Sequence, residues 1–225
     1  VPAYVTNRIG DYLHVASNSG AKAAIVSTAQ LAERFLPAAK QSLDMRVVIA
    51  IEEPKNGPDQ SPAIHLWDDV LERHAGAPND VAERASAIER TDTSCLIYTS
   101  GTGGVPKGVM LSHGAIIANC KGAHQLLDEL GLEDEVFLSF LPLSHSYEHT
   151  AGLMFPISIA AQIYYAEGVD RLAGNMLEVS PTLMTAVPRL YETMHGRIIR
   201  GVRQAGGLQE KLFNKAVELG TRKYE

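Results

Sequence analysis

Between Cys95 and Leu111 two short apolar runs flank a turn built almost wholly from glycine and hydroxyl residues. Cys95-Leu-Ile-Tyr98 reads as a buried strand, and Gly108-Val-Met-Leu111 reads as a second. The turn they enclose, Tyr98-Thr-Ser-Gly-Thr-Gly-Gly-Val-Pro-Lys-Gly108, is too small and polar to enter a core. Gly101, Gly103 and Gly104 allow the backbone to approach a ligand closely. Successive N–H groups in such a turn converge on an anion. Ser100 and Thr102 add hydroxyl donors and Lys107 adds a positive charge, so the combined expectation is a polyphosphate loop.

Two better-known motifs fail on these residues. G-x-x-x-x-G-K-[ST] is broken because Pro106 precedes the lysine and Gly108 follows it. The nucleophile elbow G-x-S-x-G is broken because Tyr98 stands where its first glycine is needed. The order Tyr98-Thr-Ser-Gly-Thr-x-Gly-x-Pro-Lys-Gly-Val109 instead resembles the phosphate loop of the adenylate-forming enzymes: acyl-CoA synthetases, luciferases and amino-acid adenylation domains. The chain departs from that pattern at Gly103, where the family usually carries Thr or Ser. One hydroxyl is lost and the backbone N–H is kept.

The chain has 225 residues, 45% of them hydrophobic, and a net charge of −6. A core is expected, and the acidic balance without a basic stripe argues against a nucleic-acid partner. Cys95 and Cys120 fit no metal spacing and read as reduced, buried thiols. The longest apolar run, around residues 151–163, is too short to span a membrane and holds Pro156. Strands are expected at Val1–Val5, Ala23–Val26, Met45–Ile51, Ile64–Leu66, Val136–Leu141, Gln162–Ala166 and Thr182–Val187. Helices are expected at Arg8–Asn18, from Ser27 to a stop or kink at Pro37, at Trp67–His74, from Ser112 to Gly131, within Tyr147–Ala161, at Arg171–Glu178, and from Pro188 onward with a break at Gly206-Gly207. Glu53–Pro62 reads as a loop, and Ala75–Asp92 as a small, polar connection. The alternation predicts an α/β fold of largely parallel sheets flanked by helices.

A second site is expected at Leu141-Pro-Leu-Ser-His145-Ser-Tyr-Glu-His149, just past a buried strand, where ligands sit in open α/β sheets. It resembles the Leu-Pro-Leu-x-His-x-x-Glu segment of long-chain acyl-CoA synthetases, which borders the acyl-adenylate. By that match His145 is the candidate catalytic residue, and Tyr147, Glu148 and His149 join it in lining the substrate pocket. Two other readings stay open. His145-x-x-Glu148-His149 has the order of a zinc hydrolase motif, H-x-x-E-H, and His145 alone is placed to cap a following helix.

Val1-Pro-x-Tyr-x-Thr6, Asn18-Ser-Gly-Ala-Lys22, Ser180-Pro-Thr-x-x-x-x-Val-Pro-Arg189-Leu-Tyr-Glu192 and Leu212-Phe-Asn214 with Ala216 extend the resemblance along nearly the whole chain. It implies ATP-dependent activation of a long-chain fatty acid to acyl-AMP and then acyl-CoA. ATP, Mg²⁺ and CoA would be the cofactors and co-substrates. Thr99, Ser100, Gly101, Thr102, Gly103, Gly104 and Lys107 would bind the nucleotide, with Thr99 or Thr102 on the metal. The family's later Tyr-Gly-x-Thr-Glu and Thr-Gly-Asp segments and its small C-terminal domain have no counterpart here. The chain therefore reads as an internal part of the large N-terminal adenylation domain, inactive alone. A non-catalytic nucleotide-binding module is the alternative. The resemblance implies a cytoplasmic location, and leaves peripheral contact with the inner face of a membrane and homodimer formation open.

Overall fold

The computed structural model describes every residue except 56–61, 100–103, 130 and 225, with the backbone alone for 223 and 224. The chain divides into two compact units, Val1–Met184 and Thr185–Glu225.

The first unit begins with α1 (Ile9–Ser19), β1 (Ala23–Val26), α2 (Ala29–Gln41), β2 (Val47–Ala50) and β3 (Ala63–Leu66). The strands form a parallel sheet in the order β1-β2-β3, with Ala23 opposite Val47 and Val47 opposite Ala63. Their core joins Tyr12 and Ala16 of α1, Phe35, Leu36, Ala38 and Ala39 of α2, and Val48 of β2. Tyr12 and Phe35 meet edge to face at 5.5 Å.

Two expectations fail here. Val1–Val5 is not a strand. The Tyr4 carbonyl accepts from Asn7 N–H at 3.1 Å and from the Tyr12 hydroxyl at 3.0 Å, so a turn and a side chain take what a ladder would have used. Pro37 does not end α2, which starts on the Thr28 cap rather than Ser27 and runs to Gln41. A mid-helix proline costs about 3 kcal/mol. Burial of Phe35 and Leu36 before it, and of Ala38 and Ala39 after it, offsets that cost.

Next come α3 (Trp67–His74), α4 (Val81–Ser86), β4 (Thr93–Thr99), β5 (Lys107–Ser112) and α5 (His113–Asp128). α4 lies inside the stretch expected to be irregular, and Arg84 pairs with Asp80 at 2.7 Å on its surface. β4 and β5 are antiparallel, the exception in a fold whose other ladders are parallel. Ser112 caps α5 by accepting from Ala115 N–H at 3.2 Å, as expected.

The unit closes with β6 (Val136–Ser139), α6 (Ser146–Glu148), a π-helical segment (His149–Met154), α7 (Phe155–Ser158), β7 (Gln162–Tyr165) and α8 (Leu172–Val179). β6 and β7 pair in parallel. The expected strand at Thr182–Val187 shrinks to one parallel bridge, Leu183 to Phe137. Ser180 takes a left-handed conformation before it, and Pro181 and Pro188, which have no N–H, bound it on both sides. The second unit, Thr185–Glu225, holds α9 (Pro188–Ala205) and α10 (Gly207–Tyr224). Gly206 at φ 58° separates these helices, at the expected break.

Candidate functional site

The glycine turn joins β4 to β5 as the tip of a hairpin. Thr99 is the last residue of β4 and Lys107 the first of β5, and the two are direct cross-strand partners. Both are exposed. The hairpin therefore brings a hydroxyl and an ammonium together at the mouth of the loop. Ser100, Gly101, Thr102 and Gly103 lie outside the described residues, and Gly104 is exposed on the way back.

The base of this loop is held by α1. Tyr98 is buried, and its hydroxyl donates to Asn18 Oδ1 at 2.7 Å. His14 Nε2 bonds the Pro106 carbonyl at 2.8 Å. Since a carbonyl only accepts, the ring proton sits on Nε2. The His14 and Tyr98 rings meet edge to face at 5.8 Å. A side chain at Gly108 would put its Cβ 2.9 Å from Tyr98 Cζ, so only glycine lets the ring cross under the loop's return strand.

The His145 segment divides by exposure. His145 and Tyr147 face solvent, whereas Glu148 and His149 are buried. His145 Nδ1 accepts from Tyr147 N–H at 3.2 Å, so this histidine does cap α6. That bond leaves the ring proton on Nε2, which is exposed and able to donate to a carboxylate. Capping and ligand contact are thus compatible at one ring. Glu148 accepts from Ser139 Oγ at 2.6 Å, across to the end of β6. His149 Nδ1 lies 3.2 Å from the Leu143 carbonyl, while its Nε2 is buried without a protein partner.

The backbone makes room for this carboxyl. Phe155 N–H reaches back to Thr150, giving the π-helical register, and Gly152 sits against Glu148. The two candidate segments share one apolar cluster. Ile116 and Cys120 of α5 pack with Phe155, joined by Cys95 and Leu111 from the hairpin and Met154 from the π-helical segment. Cys120 is buried as expected and Cys95 is only half-buried; burial pushes both thiols above the ordinary cysteine range. Among the described residues, no group of three or more His, Cys, Asp and Glu side chains is arranged to hold a metal ion.

The AMP-binding enzyme family matches residues 1–221. The chain belongs to that family. Human long-chain-fatty-acid–CoA ligase ACSBG2 is 30% identical over 226 residues, which are 98% of this chain and 33% of the human protein. The peroxisomal long chain acyl-CoA synthetase 6 of Arabidopsis thaliana is 37% identical over 125 residues, 56% of this chain and 18% of the plant protein. The chain spans no more than about a third of the length of these curated relatives. The A-PCP didomain of the carboxylic acid reductase from Segniliparus rugosus, solved in complex with AMP, superposes with a TM-score of 0.77 at 20% identity, covering 96% of this chain and 33% of that one. The adenylation domain of the carboxylate reductase from Mycobacterium chelonae gives 0.73 at 17% identity, covering 95% and 35%. The fold is that of the N-terminal part of adenylate-forming enzymes.

The sequence did not point to His14, Asn18, Ser139 or Gly152 as parts of this site. The buried phenol of Tyr98 was the available signal for Asn18, since a buried hydroxyl needs a partner. Which residue supplies it, 80 positions away, is a matter of tertiary packing.

Proposed function

We propose that the protein containing this chain activates a long-chain fatty acid with ATP, forming acyl-AMP and then acyl-CoA. The observation that carries this reading is the exposed Thr99–Lys107 pair at the mouth of the glycine hairpin. A hydroxyl and a cation side by side at the mouth of a glycine turn, in a chain of the AMP-binding family, support polyphosphate binding there. The names of the relatives support the acyl-CoA ligase class. A mainly apolar cleft of about 500 Å³, lined by Ile116, Ile117 and Cys120 of α5 with Met154 and Ile157, is of a size for an acyl chain, but His145, Tyr147, Glu148 and His149 do not line it.

The physical obstacle to the first step is an anionic carboxylate attacking an anionic α-phosphate. Lys107 and the loop N–H groups hold the β- and γ-phosphates and offset the charge that leaves with pyrophosphate. His145 Nε2–H orients the carboxylate, so that attack begins from a fixed distance. The exposed Thr99 hydroxyl suits a hard, oxygen-seeking ion, and Thr99 or Thr102 would hold Mg²⁺. When bound, that ion supplies further charge neutralisation on the phosphates. CoA thiol then displaces AMP from the acyl group.

The test is pyrophosphate release by the full-length protein with Mg-ATP and a panel of carboxylates of graded chain length. Release that rises toward long saturated chains and yields acyl-CoA on adding CoA is expected. Release driven only by short or aromatic acids would refute the substrate assignment, and none with any acid would refute the reaction.

A further inference from the structure

We infer that His14 and Asn18 of α1 are positioning residues for the phosphate loop, acting on nucleotide through the neck of the hairpin and not by contact with it. The inference rests on the proposed ATP-dependent function for its consequence, and on geometry alone for its mechanism.

His14 and Asn18 are four residues apart on one helix, hence on one face. Each takes a different strand of the hairpin. Asn18 holds β4 through the Tyr98 hydroxyl at 2.7 Å, one residue before Thr99. His14 holds the return side through the Pro106 carbonyl at 2.8 Å, one residue before Lys107. Pro106 has no N–H, so that carbonyl is its one backbone hydrogen-bonding group. The His14 ring also leans edge-on against Tyr98, which ties the two grips together. Gly108 completes the clamp by letting the Tyr98 ring lie against the return strand.

The helix that carries these grips is itself fixed. Tyr12 and Ala16, on its other face, are buried in the core shared with α2 and β2. The clamp thus transmits the rigidity of a packed helix to the last rung of the hairpin, formed by the exposed pair Thr99 and Lys107. A loop that must meet a polyphosphate without reorganising gains most from such support. The hairpin ladder uses neither side chain: it pairs Cys95–Leu111 through Thr99–Lys107 without a break, with a bulge separating Thr93–Ser112 from the rest.

The experiment uses the full-length protein with His14→Ala, His14→Gln and Asn18→Ala, the last covering the case in which a His14 variant does not fold. Hydrogen exchange at the amides of Gly104, Val105, Lys107 and Gly108 reads the clamp with no substrate present. Steady-state kinetics read KM for Mg-ATP separately from KM for the fatty acid and for CoA. His14→Ala is expected to speed exchange at those amides and to raise the ATP KM about 2- to 12-fold, the worth of one hydrogen bond. The other two KM values and the melting temperature should hold, and Gln, whose amide can still donate to Pro106, should restore most of the loss. Asn18→Ala should act in the same direction. Unchanged exchange in both alanine variants overturns the clamp. Equal changes in all three KM values with a lower melting temperature, or Gln no better than Ala, overturn the positioning role in favour of a general structural one. Absence of any ATP-dependent reaction in the unmutated protein refutes the functional reading instead, and the exchange rates still decide the clamp.

Discussion

Replacing Gly152 by alanine should cost more than any other single methyl added near the candidate site. A Cβ at this position would lie 2.4 Å from both Cδ and Oε1 of Glu148. The end of a glutamate normally swings away from such a contact, but this one is fully buried and bonded to Ser139 Oγ at 2.6 Å. Two outcomes are open to the side chain. If it stays, the overpacked contact costs about 1–3 kcal/mol. If it moves, the buried Ser139 hydroxyl loses its partner, at about 1–3 kcal/mol. Either way, and for any mixture of the two, the cost is about 1–3 kcal/mol. Equilibrium urea unfolding of Gly152→Ala, Glu148→Ala and the double variant forms a cycle that isolates the contact. Truncating Glu148 opens space for the new methyl, so the double variant should be less destabilised than the two single costs added. Strict additivity, or a Gly152→Ala cost under about 1 kcal/mol, would show that Glu148 is not the neighbour that demands glycine here.

Other consequences are open to measurement. Lys107→Ala should slow ATP-dependent pyrophosphate release about 10- to 150-fold, the loss of one charge-assisted contact, with circular dichroism unchanged; an undiminished rate would remove Lys107 from the phosphate site. Burial raises the ionisation of Cys95, Cys120, Tyr12 and Tyr98 above the ordinary values. The unfolded chain therefore loses these protons first, from about pH 8.5 for the thiols and about 10 for the phenols. Stability should be fully present below that range and fall as pH rises through it, less steeply in Cys120→Ala; a flat urea midpoint from pH 8 to 10.5 would contradict the sign. Ser112→Ala should cost about 0.5–2 kcal/mol through loss of the α5 cap, read from the same unfolding curves, and no change would mean the cap at Ala115 contributes nothing.

Much of the fold could be read from local chemistry. The apolar runs at Ala23–Val26 and Val136–Ser139, the Ser112 cap and the Gly206-Gly207 break all express preferences of a few neighbouring residues, and all appear where expected. The errors occur where tertiary context overrides that preference. Pro37 ends a helix in isolation, yet buried residues on both sides carry α2 through it. Val1–Val5 has strand composition but finds its hydrogen bonds in a turn and in the Tyr12 hydroxyl. The same division holds at the site. Thr99 and Lys107 were legible because a hairpin across the glycine turn makes them partners. His145 was legible as a cap, and its bond to Tyr147 N–H leaves its other nitrogen available for the proposed contact with the carboxylate. The grips of His14 and Asn18 were not legible, because each crosses 80 or more residues of sequence.

A crystal structure of the full-length protein with Mg-ATP bound tests the central claim most directly. The account predicts the β- and γ-phosphates inside the 99–107 hairpin mouth, with Lys107 Nζ within about 2.7–3.2 Å of a phosphate oxygen. It also predicts that His14 still holds the Pro106 carbonyl in that complex. Nucleotide bound elsewhere, or at the hairpin with Lys107 turned to solvent, would contradict it.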